Sequence, residues 1–189
     1  MAAAILILPG INDSGPEHWQ SRWERAIPGA RRVKQHDWDN PVRAAWVASL
    51  THEVASARRE LVLVAHSLGC LVVAHAASAR GLNASVRGAL LVAPPDPDAA
   101  SFPAVATGFR PLPLERLPFP TVLVASQDDP YASLDFSRRA AFAWGSRFVD
   151  LGACGHINAA SCLEDWPTGR QWLDTLLMTA GCQLDAPGG

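Results

Sequence analysis

The sequence predicts a three-layer α/β fold, in which a mostly parallel sheet of about six strands is covered by helices on both faces. The first observation is a series of short, unbroken apolar runs, which are typical of strands buried on both faces. The second is that segments with apolar residues at helical spacing lie between these runs. Strands that alternate with helices form parallel crossovers, so this order predicts a single helix-covered sheet.

The elements of the first part of the chain are predicted from apolar runs and their boundaries. Ala4–Leu8 is an apolar run that stops at Pro9-Gly10, which predicts the first buried strand. Trp19–Ala26 has a helical pattern, and Arg31–Gln35 is a weaker strand candidate that fits the gap after it. A further helical pattern covers Val42–Ala57.

The middle of the chain contains two strong strand candidates. Leu61–Ala65 predicts a buried strand, and the helical pattern of Leu68–Ala79 begins almost directly after it. Ala89–Ala93 predicts the next strand. The segment Pro94–Pro120 is rich in proline, which removes backbone donors and interrupts helices, so we expect a mostly irregular connection that overhangs a site.

The last part of the chain repeats the alternation. Thr121–Ala125 predicts a buried strand, Leu134–Trp144 a helix and Arg147–Leu151 a weaker strand. The final helix is predicted over Trp166–Thr179, where residues 172, 173, 176 and 177 are apolar at helical spacing.

Size and composition narrow the class of protein. The chain has 189 residues, 49% of them hydrophobic, which predicts one domain over residues 1–182 and a flexible tail over 183–189. The formal charge of -2 gives nucleic-acid binding no electrostatic driving force, and no apolar run is long enough to span a membrane. The apolar start lacks a basic region, so we expect no signal peptide and a cytoplasmic protein whose four cysteines are free thiols.

A serine directly after the third predicted strand is the first candidate for chemistry. Ala65-His66-Ser67-Leu68-Gly69 connects a predicted strand to a predicted helix, and small residues stand two positions before and after the serine. In such a sharp elbow the serine oxygen is lifted towards the crevice at the strand ends. Ala65 replaces the glycine of the usual G-x-S-x-G pattern but keeps a small side chain. The alternative is that Ser67 only caps the following helix.

Candidate partners for this serine follow two later strands, in the order Ser, Asp, His. Asp128 and Asp129 come after Thr121–Ala125, and His156 comes after the last predicted strand in a glycine-rich turn. Serine is a poor nucleophile until a neutral imidazole accepts its proton, and a carboxylate must orient that imidazole. We choose Asp129 because Pro130 fixes the turn beside it, whereas Asp128 suits a turn acceptor. Capping of the next helix is the alternative for both, and an ordinary loop position is the alternative for His156.

The loop after the first strand is expected to complete an oxyanion hole with the elbow. Gly10 permits a tight turn that presents the backbone N–H of Ile11, or that of Asn12, towards the spot faced by the N–H of Leu68. The side chain of Asn12 is a further candidate donor. A phosphate-binding loop is excluded because neither G-K-[ST] nor G-x-G-x-x-G is present.

These motifs together resemble a known family. Leu8-Pro-Gly10 with His18-Trp19, the Ser67 elbow, Ser126-Gln-Asp-Asp-Pro130 and Cys154-Gly-His156 resemble the small α/β-hydrolases that include retinoblastoma-binding protein 9 and the bacterial YdeN proteins. The resemblance implies that Ser67, Asp129 and His156 are nucleophile, acid and base. It also implies a hydrolase without a large lid domain, with carboxylesterase-like activity.

The remaining candidates give weaker indications. No histidine or cysteine spacing is typical of a metal site, so we expect no metal and no cofactor. Cys70 and Cys154 are expected to be small buried residues. Trp19 and Tyr131 are candidates for the walls of an acyl pocket.

The sequence therefore predicts a serine hydrolase that acts on a small acyl ester through an acyl-enzyme intermediate. Its expected partner is a small-molecule substrate, without nucleic acid or membrane, and its oligomeric state stays open. The alternatives are a non-catalytic protein-interaction module on the same fold, and the same triad acting on thioesters or peptides.

Overall fold

A computed structural model describes residues 3–82 and 84–184 of the chain. Its strands and helices alternate in the order that the sequence predicts. The strands are β1 Ala4–Leu8, β2 Arg31–Arg32, β3 Leu61–His66, β4 Val86–Val92, β5 Thr121–Ala125 and β6 Arg147–Asp150. The helices are α1 Trp19–Ala26, α2 Arg43–Ala55, α3 Leu68–Ser78, α4 Leu134–Trp144 and α5 Pro167–Thr179. A short 3₁₀ turn covers Ala159–Ser161.

All six strands form one parallel sheet in the order β2-β1-β3-β4-β5-β6. Every strand except β2 and β6 therefore has a hydrogen-bonded neighbour on each side. The order reverses direction at β1, because β2 lies outside β1 and β3 lies on its other side. In open sheets of this kind, binding sites lie beyond the carboxyl ends of the strands near such a reversal.

The two faces of the sheet are covered by different helices. Alternate residues of β1 point to opposite faces: Leu6 belongs to the buried apolar cluster that contains residues of α2, α3 and α4, whereas Ile5 belongs to the cluster that contains residues of α1 and α5. Both sets are buried apolar clusters, so the sheet is the middle layer of three. The predicted three-layer α/β fold is confirmed.

Several element boundaries differ from the sequence-based prediction for physical reasons. The predicted strand Arg31–Gln35 shortens to two residues, because β2 is an edge strand that pairs with β1 only over Leu6 and Ile7. The final helix starts one residue later than predicted, with Pro167 in its first turn, a position where the missing N–H of proline has no helical partner to lose. Residues 93–120 contain no helix or strand, as expected from their proline content.

The first and last described segments of the chain are joined by a backbone hydrogen bond. The backbone N–H of Ala3 donates to the carbonyl of Gln183 at 2.7 Å. Of the predicted tail, residues 185–189 lie outside the described residues. The four cysteines form no disulfide. None of the helices in the part of the chain that the structure describes has both the length and the apolar character needed to cross a bilayer.

Candidate active site

Ser67 lies in a strained turn between the central strand β3 and helix α3. Its φ of +52° and ψ of -125° are unusual for a residue with a side chain, and such strain is concentrated at functional sites. The turn is tight because Gly69 packs against β1: a Cβ atom there would lie 2.3 Å from the carbonyl oxygen of Leu8. Ser67 makes no side-chain capping bond to its helix, which excludes the capping alternative.

Three side chains predicted from the sequence form a continuous row of hydrogen bonds. The Oγ of Ser67 lies 2.8 Å from Nε2 of His156. On the other side of the ring, Nδ1 of His156 lies 2.9 Å from both carboxylate oxygens of Asp129. The side chain of His156 is 9% exposed and that of Asp129 is 3% exposed. A carboxylate accepts, so Nδ1 carries the ring proton and Nε2 is left to accept the proton of Ser67.

Asp129, rather than Asp128, contacts the imidazole. Neither aspartate caps the following helix, because α4 begins at Leu134 and the Oγ of Ser133 accepts from the N–H of Phe136 at 3.1 Å. Asp129 also accepts from the backbone N–H of Tyr131 at 2.9 Å.

Asp128 was expected to be a turn acceptor, and its partners include a second turn that the sequence did not indicate. Its Oδ1 accepts from the backbone N–H of Gly155 and from the hydroxyl of Ser126, both at 2.7 Å. The same Ser126 oxygen accepts from the N–H of Cys154 at 2.9 Å. The hydrogen bonds from Ser126 and Gly155 lower the pKa of Asp128 below its usual value. The turn before His156 is therefore tied to the turn that carries Asp129.

Two backbone donors beside Ser67 have no hydrogen-bond partner among the described residues. They are the N–H groups of Ile11 and Leu68, the two donors expected from the sequence to form an oxyanion hole. The N–H of Asn12 donates instead to the carbonyl of Trp38 at 2.9 Å, so the expectation that it could be an oxyanion donor is wrong. Gly10 lies against the serine, since a Cβ there would be 2.8 Å from the Cβ of Ser67.

The loop that carries Ile11 is held by two polar residues that sequence reasoning missed. Arg32 pairs with Asp13 at 2.5 Å and with Glu24 at 2.7 Å. Gln20, which is fully buried, donates to the carbonyl of Leu8 at the end of β1 and to that of Val64 within β3. In the sequence, the only signal that could have indicated this role was the position of Gln20 directly after His18-Trp19.

A pocket with a cavity volume of about 300 Å³ opens over Ser67 and His156. Asn12 and Tyr131 line it, as do Pro95 and Pro103 from the proline-rich connection. Tyr131 packs edge-on against the imidazole of His156, with ring centres 4.6 Å apart.

Trp19 is not among the residues that line this pocket. The expectation that it walls the pocket is wrong: its ring is 1% exposed and lies in the core cluster of α1 and α5. Its Nε1 donates to the carbonyl of Ile157 at 2.9 Å, which places the polar edge of the ring under the turn of His156.

Two further histidines lie between this core and the pocket. The ring centre of His66 is 4.7 Å from that of His18 and 5.0 Å from that of His156. Burial lowers the pKa of His66 well below its usual value, and the neighbouring imidazoles add to this effect. Burial, with the nearby charges of Arg32 and His156, lowers the pKa of His18 to about 4. Both rings are therefore neutral at neutral pH.

The lowered pKa of His18 predicts a pH-dependent stability. In the unfolded chain His18 binds a proton below about pH 6.5, whereas in the fold it does so only near pH 4. The unfolded state therefore binds more protons between these values, and stability falls as pH drops. We expect His18 to contribute a loss of roughly 2 kcal/mol between pH 7 and pH 5, measured by urea unfolding.

The matched variants for this prediction are His18→Asn and His36→Asn. Asparagine at position 18 can still accept from the N–H of Gln20, as Nδ1 of His18 does at 3.1 Å, but it does not titrate. His18→Asn should make the pH dependence shallower, although the contribution of His66 remains, whereas His36→Asn, at an exposed position, should leave it unchanged. Equal slopes for wild type and His18→Asn would contradict the prediction.

Comparison with known proteins gives a consistent assignment. The serine hydrolase family model matches residues 5–175. A YdeN-like hydrolase from Pectobacterium atrosepticum is 30% identical, with a TM-score of 0.83 over 95% of this chain and 92% of that one. A search of curated protein sequences gave no significant match.

Two more distant structures share the fold. The ydeN gene product of B. subtilis is 19% identical, with a TM-score of 0.72 over 93% of this chain and 99% of that one. A monoacylglycerol lipase from Paleococcus ferrophilus is 11% identical, with a TM-score of 0.66 over 95% and 96% of the two chains. This protein therefore belongs to the serine hydrolase family and is a YdeN-type member built on the α/β-hydrolase fold.

Proposed function

We propose that the protein hydrolyses small acyl esters through a Ser67–His156–Asp129 catalytic triad. The observation that carries the proposal is the hydrogen-bonded row in which His156 meets Ser67 at 2.8 Å and Asp129 at 2.9 Å. Nucleophile and base within hydrogen-bond reach, with the base oriented by a third group, is the arrangement that activates a serine.

The reaction proceeds in two halves. The oxygen of Ser67 attacks the acyl carbonyl while Nε2 of His156 takes its proton, and the N–H groups of Ile11 and Leu68 stabilise the oxyanion. As the tetrahedral intermediate collapses, His156 gives the proton to the leaving alcohol and the acyl-enzyme remains. His156 then removes a proton from water, which attacks the acyl-enzyme; collapse releases the acid, and the proton returns to Ser67. Asp129 keeps the proton on Nδ1 throughout and stabilises the imidazolium.

The pocket favours a small acyl group without negative charge. Its volume of about 300 Å³ lies at the lower end for ligand sites. Among the described residues that line it, none is lysine or arginine, and the carboxylate of Asp13 already pairs with Arg32. An anionic acyl chain would therefore lose its hydration without gaining a cationic partner.

Covalent labelling by a small alkyl fluorophosphonate tests the proposal. In this reaction the oxygen of Ser67 displaces fluoride from phosphorus, and the serine proton leaves through His156. Intact mass should show one adduct on the wild type and none on Ser67→Ala. Short esters, thioesters and peptides tested at equal concentration then identify the bond that is cleaved.

The control is circular dichroism, which establishes that both proteins are folded. A folded wild type that does not react would contradict the proposal and favour a non-catalytic interaction module on the same fold. Labelling that persists in Ser67→Ala would assign the nucleophile to another residue.

A further inference from the structure

His66 is a buried imidazole that the proposed mechanism does not use. It is the last residue of β3, directly before Ser67, and only 5% of it is exposed. It is neutral at neutral pH for the reasons given above, so one of its ring nitrogens carries a proton and the other does not.

The contact that His66 makes assigns this proton. Its Nε2 lies 2.9 Å from the backbone carbonyl oxygen of His156. A carbonyl oxygen only accepts hydrogen bonds, so Nε2 carries the proton and donates. His66 thus contacts the backbone of the same residue whose side chain contacts Ser67.

We infer that His66 is a positioning residue for His156, a role that rests on the proposed function of the triad. Two consecutive residues of one elbow contact His156: His66 holds its carbonyl at 2.9 Å, and Ser67 contacts its ring at 2.8 Å. Because both belong to the same short turn, the bond from His66 fixes the distance between the turn of His156 and the serine.

The remaining contacts of the His156 turn do not replace this one. Asp128 holds the N–H of Gly155, and Trp19 holds the carbonyl of Ile157 at 2.9 Å. These bonds act on the residues before and after His156, and they come from the turn after β5 and from α1 rather than from the elbow. Only the bond from His66, among the described contacts of this turn, joins the backbone of His156 to the turn that carries Ser67.

The test is the kinetics of fluorophosphonate labelling in variants of His66. A displacement of about 1 Å in a reacting group can cost up to 10²-fold in rate. His66→Leu removes the donor, and we expect the limiting rate of labelling at saturating probe to fall by about 10- to 100-fold. The probe concentration for half-maximal rate should change by less than about threefold, because His66 is only one of the residues that line the pocket and the others are unchanged.

Rescue by a conservative variant separates positioning from packing. The side-chain amide of His66→Gln can place an N–H near the position of Nε2, so its limiting rate should lie within about threefold of the wild type. His66→Asn keeps an amide that is too short to reach, so it should be as slow as His66→Leu. It also provides the measurement if His66→Leu does not fold.

His75→Leu is the matched control. His75 lies in α3, two turns away from Ser67, and is equally buried, at 5% exposure. Its Nε2 lies 3.1 Å from the backbone carbonyl of Phe109. Its replacement should lower the urea midpoint as much as His66→Leu does, without slowing the labelling.

The outcomes distinguish this inference from the proposed function. Normal labelling of the wild type together with slow labelling of His66→Leu and recovery in His66→Gln supports the inference. Equal limiting rates in the wild type and His66→Leu overturn the positioning role alone. A wild type that does not label overturns both, since there is then no activated serine to position.

Discussion

Asp129→Asn is expected to lower kcat for a short-chain ester by about 10⁴-fold while the protein stays folded. The amide of asparagine can donate to Nδ1 of His156, which moves the ring proton to Nε2. That nitrogen then cannot accept the proton of Ser67, although the geometry is retained. Asparagine can still accept from the N–H of Tyr131, as Asp129 does at 2.9 Å, so the urea midpoint should change little.

Asp128→Asn is the control for this prediction, because the two aspartates are adjacent. The asparagine oxygen can still accept from the N–H of Gly155, and the residue does not contact the imidazole. We expect kcat to stay within about tenfold of the wild type. The small decrease would come from the lost charge, which strengthens the hydrogen bonds that Asp128 accepts from Gly155 and Ser126. If Asp128→Asn were the severe variant and Asp129→Asn the mild one, the assignment of the acid would be reversed.

Gly69→Ala is expected to cost about 3 kcal/mol or more in the free energy of unfolding. The added Cβ would lie 2.3 Å from the carbonyl oxygen of Leu8 and 2.9 Å from that of Pro9. These are backbone atoms at the end of β1, so relief requires α3 to move away from the sheet. Urea unfolding monitored by tryptophan fluorescence measures the effect.

Gly15→Ala provides the comparison for Gly69→Ala. A Cβ at Gly15 would meet nothing within 4 Å, and the stability change should lie within about 0.5 kcal/mol. If the two variants were equally stable, the close approach of α3 to the end of β1 could not be what requires glycine at position 69.

The sequence was sufficient for most of the fold because its strands are buried and sharply bounded. Ala4–Leu8 ends at Pro9 and Thr121–Ala125 begins after Pro120, and both are strands over those residues in the structure. Arg31–Gln35 was predicted too long, because the number of residues that an edge strand pairs depends on its neighbour. An apolar pattern carries no information about that neighbour.

The candidate site was predictable only in part, because the sequence also does not show which distant groups a side chain contacts. Ser67, Asp129 and His156 were named because their residue types and order reflect the chemistry that they would perform. Gln20 and the long-range partner of Asp128 were missed, because the partners are backbone carbonyl and N–H groups distant in the chain. Every residue has these groups, so no residue type marks such a partner in the sequence.

The proline-rich connection between β4 and β5 allows the shape of the pocket to change independently of the catalytic groups. Pro95 and Pro103 from this segment form part of the pocket wall, while Ser67, Asp129 and His156 all lie on other loops. Residues 93–120 are held by turns and isolated bonds rather than by the strand ladder, so their sequence is less constrained by the sheet. Mutations in this segment can therefore alter which substrates fit while the groups that perform the reaction stay in place, which makes it the natural target for directed evolution of selectivity.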